Sequence, residues 1–203
     1  MSSPEASEAE IRYYRNKAAE FTRKAMAADP ASFLQPFVVR LKPAARILDV
    51  GCGCGRDLRW LRDQGFLPQG LERSPELADL ARSHSGCKVH LEDFTSCASE
   101  LFQVDGLLFS GALVHLPPLQ VAQVIARFLP CLSEEGRLYV SLKEGSGVET
   151  DGDGRRFYLW EEDAGCALWQ SLSLDICYFK RQTSAVGTRW LAWVLRPEKN
   201  IPG

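Results

Sequence analysis

Two hydrophobic rhythms divide the chain. Over residues 11–26 the apolar positions Ile11, Tyr13, Tyr14, Ala18, Ala19, Phe21, Ala25 and Met26 recur every three to four residues. That spacing predicts an amphipathic helix following a polar, frayed start of about ten residues. A second helix is predicted over 31–41 and stopped by Pro43, since proline denies the helical conformation to the residue before it. From Arg46 onward the pattern changes: 46–50, 67–72, 88–92, 106–110 and 137–142 read as short buried strands, with helices over 57–64, 75–83, 95–102 and 119–132 between them. Ser74 is suited to cap the 75–83 helix, with Pro75 at a position where its missing N–H is not needed. Strands alternating with helices predict a parallel sheet with helices on both faces. Past Lys143 a Gly-, Glu- and Asp-rich loop runs through Gly154, then a short helix over 161–170 and strands over 172–181 and 189–195. The link between those two strands is too short for a helical crossover, so they are expected to form an antiparallel hairpin.

The first chemical signal is LDVGCGCGRDL at 48–58, a strand ending in Gly51, Gly53 and Gly55 that feeds a helix. Glycine lets the backbone take positive φ and approach a ligand, while the helix that follows presents oriented N–H groups. A dinucleotide fingerprint, G-x-G-x-x-G, would need a glycine at position 56, where this chain has Arg56. Asp49, two residues before the first glycine, suits a positively charged ligand better than a pyrophosphate. Glu72 ends the second strand, about where nucleotide-binding folds place an acid for ribose hydroxyls.

The G-x-G-x-G spacing with Asp49 ahead of it resembles motif I of the class I S-adenosylmethionine-dependent methyltransferases. The wider company resembles bacterial small-molecule members of the methyltransferase-11/12 and tellurite-resistance-like grouping: YY---AAEF from Tyr13, GCGCGRD, SLKEG at 141–145, DGRRF at 153–157 and TRWLAWVLRP at 188–197. The resemblance spans nearly the whole chain. It implies a three-layer Rossmann-like α/β sandwich, with a mostly parallel seven-stranded sheet closed by the C-terminal hairpin. It also implies S-adenosylmethionine as cofactor, with Asp49, Gly51, Cys52, Gly53, Gly55 and Arg56 around its methionine end and Glu72 on the ribose. Arg73, Asp93 and Phe94 would lie at the adenine, Ser110 and Gly111 would floor the site, and Tyr14 would close over it. Glu72 stands where many members have aspartate, and two cysteines within the loop are unusual.

Tyr13, His115, Lys143 and Arg155 are the candidate acceptor residues. His115 would take a proton or orient the acceptor, because imidazole titrates near neutrality; the alternative is local hydrogen bonding. Lys143, Arg155 and Arg156 suit an anionic acceptor, or are solvated charges on a mobile loop. No general base stands out, and alignment of donor and acceptor can carry much of the rate.

Composition narrows the setting. At 203 residues, 45% hydrophobic and 25% charged, the chain suits one globular domain, with 1–42 as a helical cap on a 43–203 core. A formal charge of −2 offers no net attraction to nucleic acid. No run spans a bilayer and the N-terminus lacks a signal pattern, so a cytoplasmic location is expected. Seven scattered cysteines suggest neither disulfides nor a metal module. The leading expectation is methyl transfer to an unidentified small molecule. A nicotinamide-dependent oxidoreductase and a catalytically silent module that binds the same cofactor are the competing readings.

Overall fold

The computed structural model describes residues 4–198. Helices α1 (Pro4–Asn16), α2 (Ala18–Met26) and α3 (Ala31–Val38) precede the first strand, β1 (Arg46–Val50). Then come α4 (Arg56–Asp63), β2 (Leu67–Glu72), α5 (Pro75–Ser85), β3 (Val89–Leu91), β4 (Val104–Ser110), α6 (Pro118–Phe128) and β5 (Leu132–Lys143). The chain finishes with β6 (Val148–Thr150), β7 (Arg156–Tyr158), α7 (Glu162–Ser171), β8 (Leu174–Thr183) and β9 (Arg189–Pro197).

The main sheet has seven strands in the order β3-β2-β1-β4-β5-β9-β8. The first five are parallel to their neighbours, whereas β9 pairs antiparallel with both β5 and β8. This is the α/β sandwich with a closing hairpin that the sequence pattern predicts. Because β1 to β5 run the same way, their carboxyl ends share one edge, where ligands bind in open α/β sheets. Ile47, Leu48 and Val50 are fully buried, as strands covered on both faces require. Near the last strands, Trp169 of α7 meets Trp193 of β9 edge to face, with ring centroids 5.4 Å apart.

Several elements depart from the pattern. The single helix expected over 11–26 is two, broken at Lys17, and the first begins at Pro4. Hydrophobic periodicity misses this start because α1 buries Ala9 together with a carboxylate, Glu10, which is 5% exposed. The 31–41 helix ends at Val38. The 95–102 helix is replaced by one 3-10 turn at Ser99–Leu101. There the Asp93 side chain accepts from the Thr95 N–H and hydroxyl at 2.8 and 2.7 Å, a local alternative to helix bonding. The 119–132 helix stops at Phe128, two residues before Pro130, and β5 begins at Leu132 rather than 137. The expected loop over 143–154 carries β6, which pairs antiparallel with β7 as a separate two-stranded sheet. No helix among the described residues is long and apolar enough to cross a membrane.

Candidate active site

The turn after β1 is built on three glycines at φ +72°, +55° and +80° (Gly51, Gly53, Gly55). Side chains rarely tolerate these values, so the sequence fixes the turn's shape. A Cβ on Gly51 would lie 2.7 Å from Ala112 Cβ, and one on Gly53 would lie 3.2 Å from the Phe21 ring of α2. One on Gly55 would lie 2.8 Å from the Ala81 backbone of α5. The third glycine therefore serves helix packing, while the first two let the post-β4 segment and α2 close on the turn. Cys52 turns its side chain into the core with Leu58, Ala78, Ala81 and Val89, and burial pushes its thiol pKa up. Arg56 faces the N-terminal helices: it forks onto Asp57 at 2.6 and 2.9 Å and donates to the Ala25 carbonyl at 3.3 Å.

Carboxylates ring this edge. Asp49 is 1% exposed and its Oδ2 has no hydrogen-bond partner among the described residues. Burial, with the nearby Asp57 charge, raises its pKa well above the ordinary range. Glu72 accepts from the Gly53 N–H through Oε2 and from the Ser74 N–H through Oε1, both at 2.9 Å. Each oxygen is thus oriented and keeps a further lone pair. Burial raises the Glu72 pKa, although these bonds and Arg73 offset part of the rise. Ser74 also accepts from the Leu77 N–H and caps α5.

Arg73 lies between two acids, 3.3 Å from Glu10 Oε2 and 3.7 Å from Asp93 Oδ2. Phe94 is buried below the glycine turn, its ring edge 3.6 Å from where a Gly51 Cβ would stand. Ser110 ends β4, and Gly111, at φ +68°, donates its N–H to Ser141 Oγ at 2.9 Å.

Above the turn lies a buried polar relay. His115 Nδ1 donates to the Arg156 carbonyl at 2.6 Å, which leaves Nε2 to accept from the Tyr14 hydroxyl at 3.0 Å. Burial lowers the His115 pKa to about 4 and pushes that of Tyr14 up to about 12, so the pair is neutral at physiological pH. Glu10 Oε1 lies 3.6 Å from His115 Nδ1. Tyr14 also meets Tyr13 and Phe21 edge to face.

The β6–β7 hairpin docks here. Its Tyr158 N–H donates to the Val114 carbonyl at 2.9 Å, and the Phe157 ring stacks at a tilt on His115 with centroids 4.6 Å apart. Arg155 binds Asp151 at 2.7 and 2.9 Å and lies 3.6 Å over the Tyr13 ring. Lys143, the last residue of β5, sets its ammonium 3.3 Å over the other partner of His115, the Phe157 ring. Lys143, Glu149, Thr150, Asp151, Arg155 and Phe157 line a solvent-open cleft of about 260 Å³.

The fold thus gathers Tyr13, Tyr14, His115, Lys143 and Arg155 on one side and Asp49, Glu72, Asp93 and the glycine turn on the other. Arg56 opens α4 directly after the turn, paired with Asp57 and within electrostatic reach of Asp49. Sequence reasoning missed Glu10, whose carboxylate touches both halves; only its contacts with Arg73 and His115 reveal it.

Residues 47–136 match the family model described as "Methyltransferase domain". No functionally curated protein matches the sequence significantly. Among solved structures, the 1,6-didemethyltoxoflavin-N1-methyltransferase of Burkholderia thailandensis, bound to 1,6-didemethyltoxoflavin and S-adenosylhomocysteine, superposes with a TM-score of 0.79 at 20% identity. That match covers 98% of this chain and 92% of that one. Magnesium protoporphyrin IX methyltransferase from Synechocystis PCC 6803, with bound S-adenosylmethionine, gives 0.71 at 14% identity, over 97% and 99%. An S-adenosylmethionine-dependent methyltransferase from Methanosarcina mazei gives 0.69 at 16%, over 80% and 96%. The chain therefore has the fold of the class I S-adenosylmethionine-dependent methyltransferases, with the methyltransferase-domain pattern written over residues 47–136.

Proposed function

We propose that this protein transfers a methyl group from S-adenosylmethionine to a small-molecule acceptor. The observation that carries the reading is the juxtaposition at the sheet edge: a glycine turn whose Gly53 N–H holds Glu72, beside a buried Asp49 with an unpartnered oxygen. An orphaned buried carboxylate oxygen costs free energy unless something meets it, and a cationic ligand would. The residues present fit the cofactor in that respect. When bound, it supplies a methyl carried on a sulfonium, which passes to the acceptor's nucleophile as the sulfur regains its electron pair.

The chain's own residues then have separable tasks. Asp49 and the Gly51–Gly53 backbone would hold the methionine end, and Glu72 would offer its remaining lone pairs to the ribose. Asp93, Arg73 and the backbone of Phe94 would border the adenine, with Ser110 and Gly111 beneath. Tyr14 and Phe21 roof the site and exclude water. His115 positions Tyr14 rather than acting as a base, because Nε2 is already engaged by the phenol. We read 1–42 as a cap on the 43–203 core, and place the protein in the cytoplasm, in keeping with its free thiols. Two of the similar structures are named for methylation of small organic acceptors, which supports the same class here.

Calorimetric titration with S-adenosylhomocysteine and, separately, NAD tests the reading. Saturable binding of the first is expected; binding of NAD alone would replace it with a nicotinamide-dependent function. Binding without methyl transfer to any of a broad panel of small acceptors would favour a silent module.

A further inference from the structure

We infer that the methyl acceptor binds as a small anion whose charged group sits against the Lys143 ammonium, in the cleft beside the β6–β7 hairpin. This rests on the methyl-transfer reading and specifies its acceptor. Lys143 ends β5 on the same sheet edge as Ser110 and the glycine turn, and its backbone is pinned: its carbonyl accepts from the Trp160 N–H at 2.9 Å, and it pairs with Trp190 of β9. The ammonium therefore projects from a rigid strand, with Phe157 fixing its place from below.

The charges around the cleft are unequally matched. Asp151 is consumed by Arg155: one oxygen takes two guanidinium bonds, the other the N–H groups of Asp153 and Arg155. Arg155 is answered in turn by that carboxylate and by the Tyr13 ring. Lys143 has a ring, Phe157, but no carboxylate to match. Among the described residues no carboxylate comes within 4 Å of its Nζ, and Glu149 and Asp151 attract it only through space. Glu149 is exposed at the rim. A half-buried cation without a close counter-ion, in a site that also awaits a ligand, is the place for the ligand's negative charge.

Size sets the rest. At about 260 Å³ the cleft lies near the lower end of the roughly 300 to 1,000 Å³ usual for small-molecule pockets, which suits a compact acceptor. An acceptor that arrives ionised also suits a site in which the His115 lone pair is already held by Tyr14.

The test uses the full chain loaded with S-adenosylhomocysteine, titrated calorimetrically with benzoate and phenyl phosphate as anionic probes and benzamide as the neutral isostere. At least one anion should bind saturably and at least tenfold more tightly than benzamide. Lys143→Met keeps the apolar stem over Phe157 and should lose tenfold or more of that affinity, with S-adenosylhomocysteine binding and melting temperature unchanged. Binding of neither anion, equal binding of benzamide, or full anion affinity in Lys143→Met overturns the inference while leaving the cofactor reading intact. Failure of S-adenosylhomocysteine to bind at the outset overturns the cofactor reading instead. Should Lys143→Met prove unstable, the benzoate–benzamide comparison in the unmodified protein decides alone.

Discussion

The Tyr14 hydroxyl donates to His115 Nε2 across 3.0 Å, joining residues 101 positions apart. Through it the N-terminal helix α1 is tied to the segment after β4, and through His115 Nδ1 to the hairpin that carries Arg155 and Phe157. Three sequence-distant parts of the site meet at one imidazole, and its tautomer follows from the two bonds it makes.

Tyr14→Phe should leave Nε2 buried without a donor, at a cost of about 1 to 3 kcal/mol in unfolding free energy. Denaturant unfolding of Tyr14→Phe, His115→Phe and the double variant would measure the pair directly. A coupling energy above about 0.5 kcal/mol is expected, and strict additivity would dissolve the relay.

The pH behaviour of His115 has a definite sign. Its folded pKa, about 4, lies below the ordinary value of 6.5, so the neutral ring favours the fold above pH 6.5 and that contribution is lost as pH falls towards 4. An NMR titration of the imidazole should show its midpoint near 4, with no inflection near 6.5. A midpoint near neutrality would reopen His115 as a base.

Asp105 is also shifted downwards, but by its partners and against burial. Burial opposes its charge, but hydrogen bonds from Lys42 and from the Arg46 backbone and side chain outweigh this and hold its pKa at about 2. Its contribution is present above the ordinary value of 3.8 and lost as pH falls towards 2. Asp105→Asn should therefore lose about 1 to 3 kcal/mol at pH 7, with the deficit shrinking below pH 4. A deficit independent of pH would assign the effect to packing alone.

The glycines separate folding from binding. Gly55→Val drives a side chain into the Ala81 backbone at positive φ and should cost about 3 kcal/mol or more of stability. Gly53→Val strains the backbone at φ +55° but meets only the edge of the Phe21 ring, so it should cost less stability than Gly55→Val while losing S-adenosylhomocysteine binding by calorimetry. Unchanged affinity in the Gly53 variant would move the cofactor away from this turn.

Glu72→Ala should weaken S-adenosylhomocysteine binding by about 1 to 3 kcal/mol, since it removes both the proposed ribose acceptor and the anchor of the Gly53 N–H. Isothermal titration at constant salt reads this directly. No measurable loss would return Glu72 to a purely structural role.

Local rules were enough for much of this protein. Alternating buried runs and helical spacing dictate the parallel strands; the short 182–188 link dictates the closing hairpin; and glycines at 51, 53 and 55 dictate a turn that few side chains would permit. Each follows from backbone sterics or from the period of apolar residues, which neighbours in sequence settle among themselves. Other features lay beyond such rules. That α1 begins at Pro4 and buries Glu10, that a polar stretch pairs as β6 and β7, and that Arg56 reaches the Ala25 carbonyl of α2 depend on partners distant along the chain. Burial, not residue type, makes His115 neutral and leaves Lys143 half-buried without a close counter-ion, and burial is decided only when the layers have packed.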